Sequence, residues 1–426
     1  MSLETVFTME TSNIKYGVGA TREVGADLRR FAVARALVVT DRNLRDSTMV
    51  ETVLESCRQA GVETTIFDGV RIEPTDESFK LAIAVAQEVQ PDGFVAVGGG
   101  SVIDTAKAAN LYASYPTDDL LDYVNAPIGR AKPIPGPVKP LIAVPTTAGT
   151  GSETTGVAIF DLVERHVKTG ISHRFLRPVM GVVDPLNTAT MPPLVAASTG
   201  LDVLSHAIES LTSVPYNQRP APERPDLRPP YQGANPISDV WSSTAIRMVA
   251  AHMTRAITDP SDVEARGQML LAAAFAGIGF GNAGVHLPHA MSYPVAGMVR
   301  SFRPAAYHVD HPLVPHGMAV ILNAPAVFRW TAEADPHRHL WAAELLGADV
   351  RGADASAAGE LLAQALIKIM RDTGMPNGLE AVGFTADDAE ALADGAFAQQ
   401  RLTKLSPRPA SRDDLAGLFR AALRYW

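Results

Sequence analysis

"GFVAVGGGSVIDTAKAANLYAS", residues 93–114, decides the fold. Phe94–Val97 is an unbroken apolar run, Gly98–Gly100 form a glycine turn, and Val102, Ala106 and Ala109 then recur at helical spacing. That pattern predicts strand, tight turn and helix in succession. A strand apolar on both faces is covered by helices on both sides, which points to a parallel sheet.

The same alternation extends in both directions. Before it come a strand "ALVVT" (36–40), a helix over 47–61, a strand "ETTIFDGV" (63–70) and a helix over 77–90. After it comes a strand "PLIAVPTT" (140–147). Repeated strand–helix units predict an α/β, Rossmann-like parallel-sheet domain over residues 1–190.

Two of these strands run into turns suited to an anion. Gly98, Gly99, Gly100 and Ser101 open a helix whose first amides and positive dipole end can face a pyrophosphate, with Asp104 close by. A capping box of Ser101 and Asp104, which merely starts a helix, is the plainer reading. The second turn, "AVPTTAGTGSE" (143–153), offers the hydroxyls of Thr146, Thr147, Thr150 and Ser152. Asp41 follows "ALVVT" directly. A carboxylate there can accept from both ribose hydroxyls and repels a 2′-phosphate, which favours NAD over NADP. A turn-initiating aspartate in "TDRN" explains the residue equally well.

Composition excludes other classes. With 46% apolar and 19% charged residues, the 426-residue chain reads as globular. A net charge of -9 argues against nucleic acid and against an anionic membrane surface as partners. Cys57 is the only cysteine, so no internal disulfide or cysteine-built metal site is possible, and it reads as an ordinary helix residue. "MSLETVFTMETSN" at the start has no Lys or Arg, unlike a secretory or mitochondrial leader, so a cytoplasmic enzyme is the expectation.

From residue 191 helical spacing takes over, and an all-helical domain over 191–426 is expected. One segment interrupts it. Residues 213–236 carry prolines at 215, 220, 222, 225, 229, 230 and 236 and cannot form helix or central strand. Tyr216, Tyr231 and the "GANP" exit favour an ordered loop over a linker.

The helical half also carries a second kind of chemistry. In "TGLDVLSHAIESLTS" (199–213), Asp202 and His206 project from one helix face. Five of the eleven histidines fall at 286, 289, 308, 311 and 316. Asp202, His206 and one histidine from each later stretch would make a nitrogen and oxygen ligand set suited to Fe²⁺ or Zn²⁺. Any single histidine is better explained as a hydrogen-bonded core residue, but the constellation is not.

"GGGSVIDTAKA", "PTTAGTGSE", "VDPLNTATMPP", "GLDVLSHAIE", "HAMSYP" and "PHG" resemble, in order, the signatures of the iron-containing alcohol dehydrogenases. The resemblance spans nearly the whole chain and implies a dehydroquinate synthase-like architecture of sheet domain followed by helical domain. It places the metal on Asp202, His206, His289 and His316, which would also be the catalytic centre. It places NAD on Asp41, Gly98, Gly99, Gly100, Ser101, Asp104, Thr146, Thr147 and Ser152. A homodimer acting on a small molecule is implied, with no nucleic acid or membrane partner.

The "RPPYQGANPISDVW" exit from the proline loop and "VDHPLVPHG" resemble the hydroxyacid–oxoacid transhydrogenase branch of that family. The branch implies hydride transfer from a hydroxyacid such as 4-hydroxybutyrate to an oxoacid such as 2-oxoglutarate through bound NAD. An ordinary NAD-dependent alcohol or 4-hydroxybutyrate dehydrogenase releasing NADH is the alternative. One departure stands out: many family members carry a further histidine four residues beyond the "HAM" ligand, where this chain has Tyr293. Tyr293, His286, His308 or water are then the candidates for proton relay.

Overall fold

The structure, a computed structural model, describes residues 2–165, 167–307, 309 and 311–426, without the Asp226 side chain. The chain forms two compact units, one of Glu10–Met191 and the other of Met1–Met9 with Pro192–Trp426. The first residues therefore belong with the helical unit rather than the sheet. They are held there by the Glu4 carboxylate on Arg228 at 3.0 Å and by a bridge between Leu3 and Pro220.

The sheet unit contains strands β1 (Asn13–Tyr16), β2 (Arg35–Asp41), β3 (Glu63–Val70), β4 (Gly93–Gly98), β5 (Leu141–Pro145), β6 (Val157–Leu162), β7 (Val167–Ser172) and β8 (Met180–Val183). Its helices are α1 (Val24–Arg30), α2 (Thr48–Gln59), α3 (Asp76–Val89) and α4 (Gly100–Ser114). Six strands form one sheet in the order β1-β8-β5-β4-β2-β3, every pair parallel. Strand alternation splits the core between its two faces. Val38, Val95 and Ile142 pack with Leu28, Val50, Val53 and the buried Cys57 of α1 and α2. Leu37, Phe94 and Leu141 pack with Ala82, Ala86, Val102 and Ala106 of α3 and α4. Burial pushes the Cys57 thiol up to about 11, so it is a core side chain and not a nucleophile.

Two features of the sheet unit differ from the sequence reading. β1 and β8 add an edge, and β6 and β7 form a separate antiparallel hairpin whose Ala158, Phe160 and Ile171 pack on Phe79 and Leu111.

The helical unit contains α5 (Pro193–Thr212), α6 (Pro236–Thr258), α7 (Val263–Ala283), α8 (Leu287–Gly297), α9 (His316–Ile321), α10 (Ala324–Thr331), α11 (Pro336–Leu345), α12 (Ala358–Asp372), α13 (Ala389–Phe397), α14 (Gln400–Thr403) and α15 (Arg412–Ala421). The proline-rich segment is an ordered loop. Its ends are tied by the Tyr216 N–H on Ala234 O and the Ala234 N–H on Val214 O, both 3.0 Å. Asn235 then caps α6 by accepting from Ile237 and Ser238. No single helix among the described residues is long and apolar enough to cross a membrane.

Candidate active site

In the sheet unit the two glycine turns pack on each other. Gly99 precedes α4 with no side-chain cap, so the capping-box reading does not hold and the first-turn amides of α4 keep the anion-binding character of a bare helix start. Ser101 Oγ instead accepts from the Glu73 N–H at 3.2 Å. A Cβ at Gly100 would come 2.6 Å from Thr150 Cγ2, and one at Gly99 would come 3.1 Å from Thr147 Oγ1. The glycines thus bring the threonine turn against the start of α4. Thr146 lies at the same junction, its N–H on Gly98 O at 3.2 Å.

Asp104 and Ser152 are engaged inside this junction. Ser152 Oγ donates to Asp104 at 2.6 Å and accepts from Lys107 Nζ at 2.6 Å, while Asp104 also accepts from the Ile159 N–H. They join α4 to the second turn and to β6. Burial pulls the Lys107 ammonium down to about 8, against the pull of Asp104 and Glu153. Lys107 and the buried Glu153 escaped the sequence reading. A lysine on the apolar face of α4 was the available signal. Asp41 ends β2 at a bulge and accepts from the Asn43 and Leu44 N–H groups through Oδ1, so the turn-initiating role is real. Burial raises its carboxyl above the usual range.

In the helical unit, α5 is buried nearly all round and starts on Pro192 and Pro193. Asp202 and His206 lie within it, both buried. α7 ends at Gly284, whose φ of 99° few side chains tolerate, and α8 follows at once. His289 therefore stands in the first turn of α8, and His316 opens α9 after Pro315. One ligand atom from each of Asp202, His206, His289 and His316 lies within 4.8 Å of the others. His206 is stacked between Phe280 and His289, with ring centroids at 4.0 and 4.4 Å. Asp202 Oδ1 is 3.6 Å from His289 Nε2 and 3.8 Å from His316 Nε2.

These separations exceed hydrogen-bond length. Asp202 Oδ1, His206 Nδ1 and His289 Nε2 are buried with no hydrogen-bond partner. Such groups are costly unless something else satisfies them, and here they converge. A carboxylate with three imidazoles is the donor set of a borderline divalent cation, so the residues fit iron or zinc. The charge balance agrees. Burial opposes ionisation of both Asp202 and His289, yet the neighbouring imidazoles hold the Asp202 carboxyl far below its usual range. Glu209 and Asp202 likewise push His289 up to about 9, a positive charge among these carboxylates that a bound cation would replace. Burial drives His206 down to about 3, leaving its lone pair available.

Glu209 is the functional residue that the sequence reading missed. It is fully buried, bonds the His289 Nδ1 and accepts from the His286 and His289 N–H groups at 3.2 and 3.0 Å. It therefore fixes both the start of α8 and the face His289 turns to the cluster. Its place seven residues beyond Asp202, on the same face of α5, was a legible signal. His286 is turned away, its Nε2 3.0 Å from Thr212 Oγ1. His311 is outside the cluster, and His308 lies outside the described residues.

Gly317 lets α9 approach α5. A Cβ there would run into Ser198 O and come 2.8 Å from Asp202 Cβ. Gly317→Ala is expected to lift α9, displace His316 and cost about 1–3 kcal/mol of stability through overpacking. Thermal unfolding and metal content of the purified variant measure both effects.

The family model for iron-containing alcohol dehydrogenase matches residues 11–185, and that for the Fe-containing alcohol dehydrogenase family, C-terminal, matches 231–423. The chain is 53% identical over 421 residues to the mitochondrial hydroxyacid-oxoacid transhydrogenase of Rattus norvegicus, covering 99% of this chain and 90% of that protein. The protein of the same name in Xenopus tropicalis is 54% identical, over 99% of this chain and 92% of its own length. Among solved structures, a 1,3-propanediol oxidoreductase is 30% identical with a TM-score of 0.85, over 98% of this chain and 100% of that one. The expected cytoplasmic location is corrected by these relatives, since the rat and frog proteins are both named mitochondrial. The lack of basic residues over 1–13 carries no information about the compartment in which the folded enzyme works.

Proposed function

We propose, from the premise that this chain belongs to the iron-containing alcohol dehydrogenase family, that it passes hydride from a hydroxyacid to an oxoacid through bound NAD. The observation that carries the chemistry is the convergence of Asp202, His206, His289 and His316 with three buried polar atoms unpartnered. The substrate class rests on likeness to the rat and frog transhydrogenases over nearly the whole chain.

In this reading Asp202, His206, His289 and His316 hold the metal, and Glu209 orients His289 by bonding its Nδ1. Iron is the metal of the family, and Zn²⁺ suits the same donors. When bound, the cation supplies Lewis acidity to the oxygen of the carbinol or carbonyl group. NAD supplies the hydride acceptor and donor. The amides of Gly99, Gly100 and Ser101 receive its pyrophosphate, Asp41 faces the ribose, and Gly98, Thr146 and Thr147 shape the turn, while Asp104 and Ser152 keep the two turns together. Cofactor binding falls to Glu10–Met191 and metal chemistry to Pro192–Trp426. The buried apolar faces of α5, α7 and α8 exclude water from the ligands. A mitochondrial setting accords with the names of those relatives, and a homodimer with the family resemblance.

Iron-loaded enzyme given 4-hydroxybutyrate and 2-oxoglutarate is expected to form 2-hydroxyglutarate in step with succinate semialdehyde, with no free NADH accumulating. Steady release of NADH from added NAD⁺ and 4-hydroxybutyrate, with no stimulation by 2-oxoglutarate, would establish an ordinary dehydrogenase instead.

A further inference from the structure

Hydroxyacids and oxoacids share a carboxylate, and a site selecting them over plain alcohols needs a cation to receive it. Arg401 on α14 has the required character. Its guanidinium lies 5.1 Å from the centre of the Tyr231 ring, and its Nη2 is 3.5 Å from Tyr293 Oη. Its Nη1 is buried with no hydrogen-bond partner. Elsewhere in this unit arginines meet carboxylates two-pronged, as Arg338 meets Asp239 at 2.9 and 2.7 Å. Among the described residues no carboxylate pairs with Arg401; burial opposes its charge, and the phenols of Tyr231 and Tyr293 sustain it. A buried guanidinium nitrogen left open is costly, and the planar fork suits a carboxylate.

Its location supports the same conclusion. Tyr293 is four residues beyond His289 on α8, on the same helix face one turn along. The side chain that Arg401 touches thus leaves α8 from the same face as a cluster residue, one turn further along. Tyr231 lies in the "RPPYQGANP" exit of the proline-rich loop and is nearly fully buried, as is Tyr293. The two rings hold the guanidinium in place, one by a cation–π contact and the other through its hydroxyl.

We propose that Arg401, held between Tyr231 and Tyr293 beside the Asp202–His316 cluster, binds the carboxylate of the substrate. This rests on the hydroxyacid–oxoacid reading above and names the residue that makes the selection. The role is specificity, exerted on the end of the substrate that does not react.

The test compares kcat/KM for 4-hydroxybutyrate and for 1-butanol in iron-loaded wild type, Arg401→Gln and Arg401→Lys. Loss of a charge-assisted pair is expected to lower the ratio of the two values about 30- to 100-fold in Arg401→Gln, mainly through KM for the hydroxyacid. Arg401→Lys, which keeps the charge without the fork, is expected to lose about tenfold. Arg408→Gln, whose guanidinium stacks on Trp330 and meets Glu333, is expected to keep the wild-type ratio. An Arg401→Gln protein that retains iron and the wild-type ratio, or loses both substrates equally, overturns the proposal while the hydroxyacid reading stands. If Arg401→Gln does not fold, Arg401→Lys decides by the same ratio. Wild type that prefers 1-butanol outright overturns the hydroxyacid reading and this assignment together.

Discussion

Asp202→Ala is expected to purify without stably bound metal and to lose roughly 10³-fold or more in kcat/KM, with no recovery on adding Fe²⁺. Asp202 is the carboxylate of the cluster, and its Oδ1 faces both His289 and His316. Three imidazoles remain in the variant, but the negative charge that draws a cation into a buried site is gone. Wild type treated with a chelator is expected to lose activity likewise and to regain it with Fe²⁺, which separates lost metal from lost fold. Asp202→Asn keeps the shape without the charge and is expected to resemble Asp202→Ala. An Asp202→Ala enzyme with wild-type metal content and rate would remove the cluster from the mechanism.

Glu209→Gln is expected to weaken metal binding about 10- to 100-fold while leaving the substituted side chain close to isosteric. The carboxylate holds a proton on His289 Nδ1, so the position a metal takes is Nε2, which faces Asp202. An amide that keeps its carbonyl toward the His286 and His289 N–H groups must point its NH₂ at Nδ1. The imidazole then carries its proton on Nε2, where the ligand lone pair is needed. Glu209→Ala goes further, leaving the His286 and His289 backbone N–H groups and the His289 Nδ1–H without acceptors, and is expected to lose about 2–4 kcal/mol of stability. Metal titration of the stripped proteins measures the first effect and thermal unfolding the second. Unchanged affinity in Glu209→Gln would reduce Glu209 to a structural acceptor.

The parts legible in the sequence were those whose pattern is local. β4 and α4 carry a buried strand, a glycine turn and a helical repeat within one stretch, and the sheet follows from repeating that unit. β1 was hidden because "NIKY" offers one aliphatic residue, and its pairing with β8 is made only in three dimensions. The β6–β7 hairpin was hidden for another reason. A 3-10 turn, Val163–Arg165, stands between its strands in place of an α-helix, and Asp161 and Lys168 interrupt the apolar pattern with an ion pair at 3.0 Å.

The site divides along the same line. Asp202 and His206 were readable from helical spacing alone. Spacing could not choose His289 over His286 or His316 over His311, and family resemblance made that choice. The structure supplies the physical reason for the first: His286 precedes the first turn of α8 and turns to Thr212, whereas His289 lies inside it and turns to Asp202. Arg401 had no signal in the sequence, because Tyr231 and Tyr293 are more than a hundred residues from it.

X-ray absorption at the iron edge of the loaded protein tests the central claim most directly. One iron per chain surrounded by nitrogen and oxygen at about 2.0–2.2 Å, with the outer-shell scattering of three imidazole rings, is expected. A shell containing sulfur, or scattering from fewer than two rings, would contradict the assignment of Asp202, His206, His289 and His316.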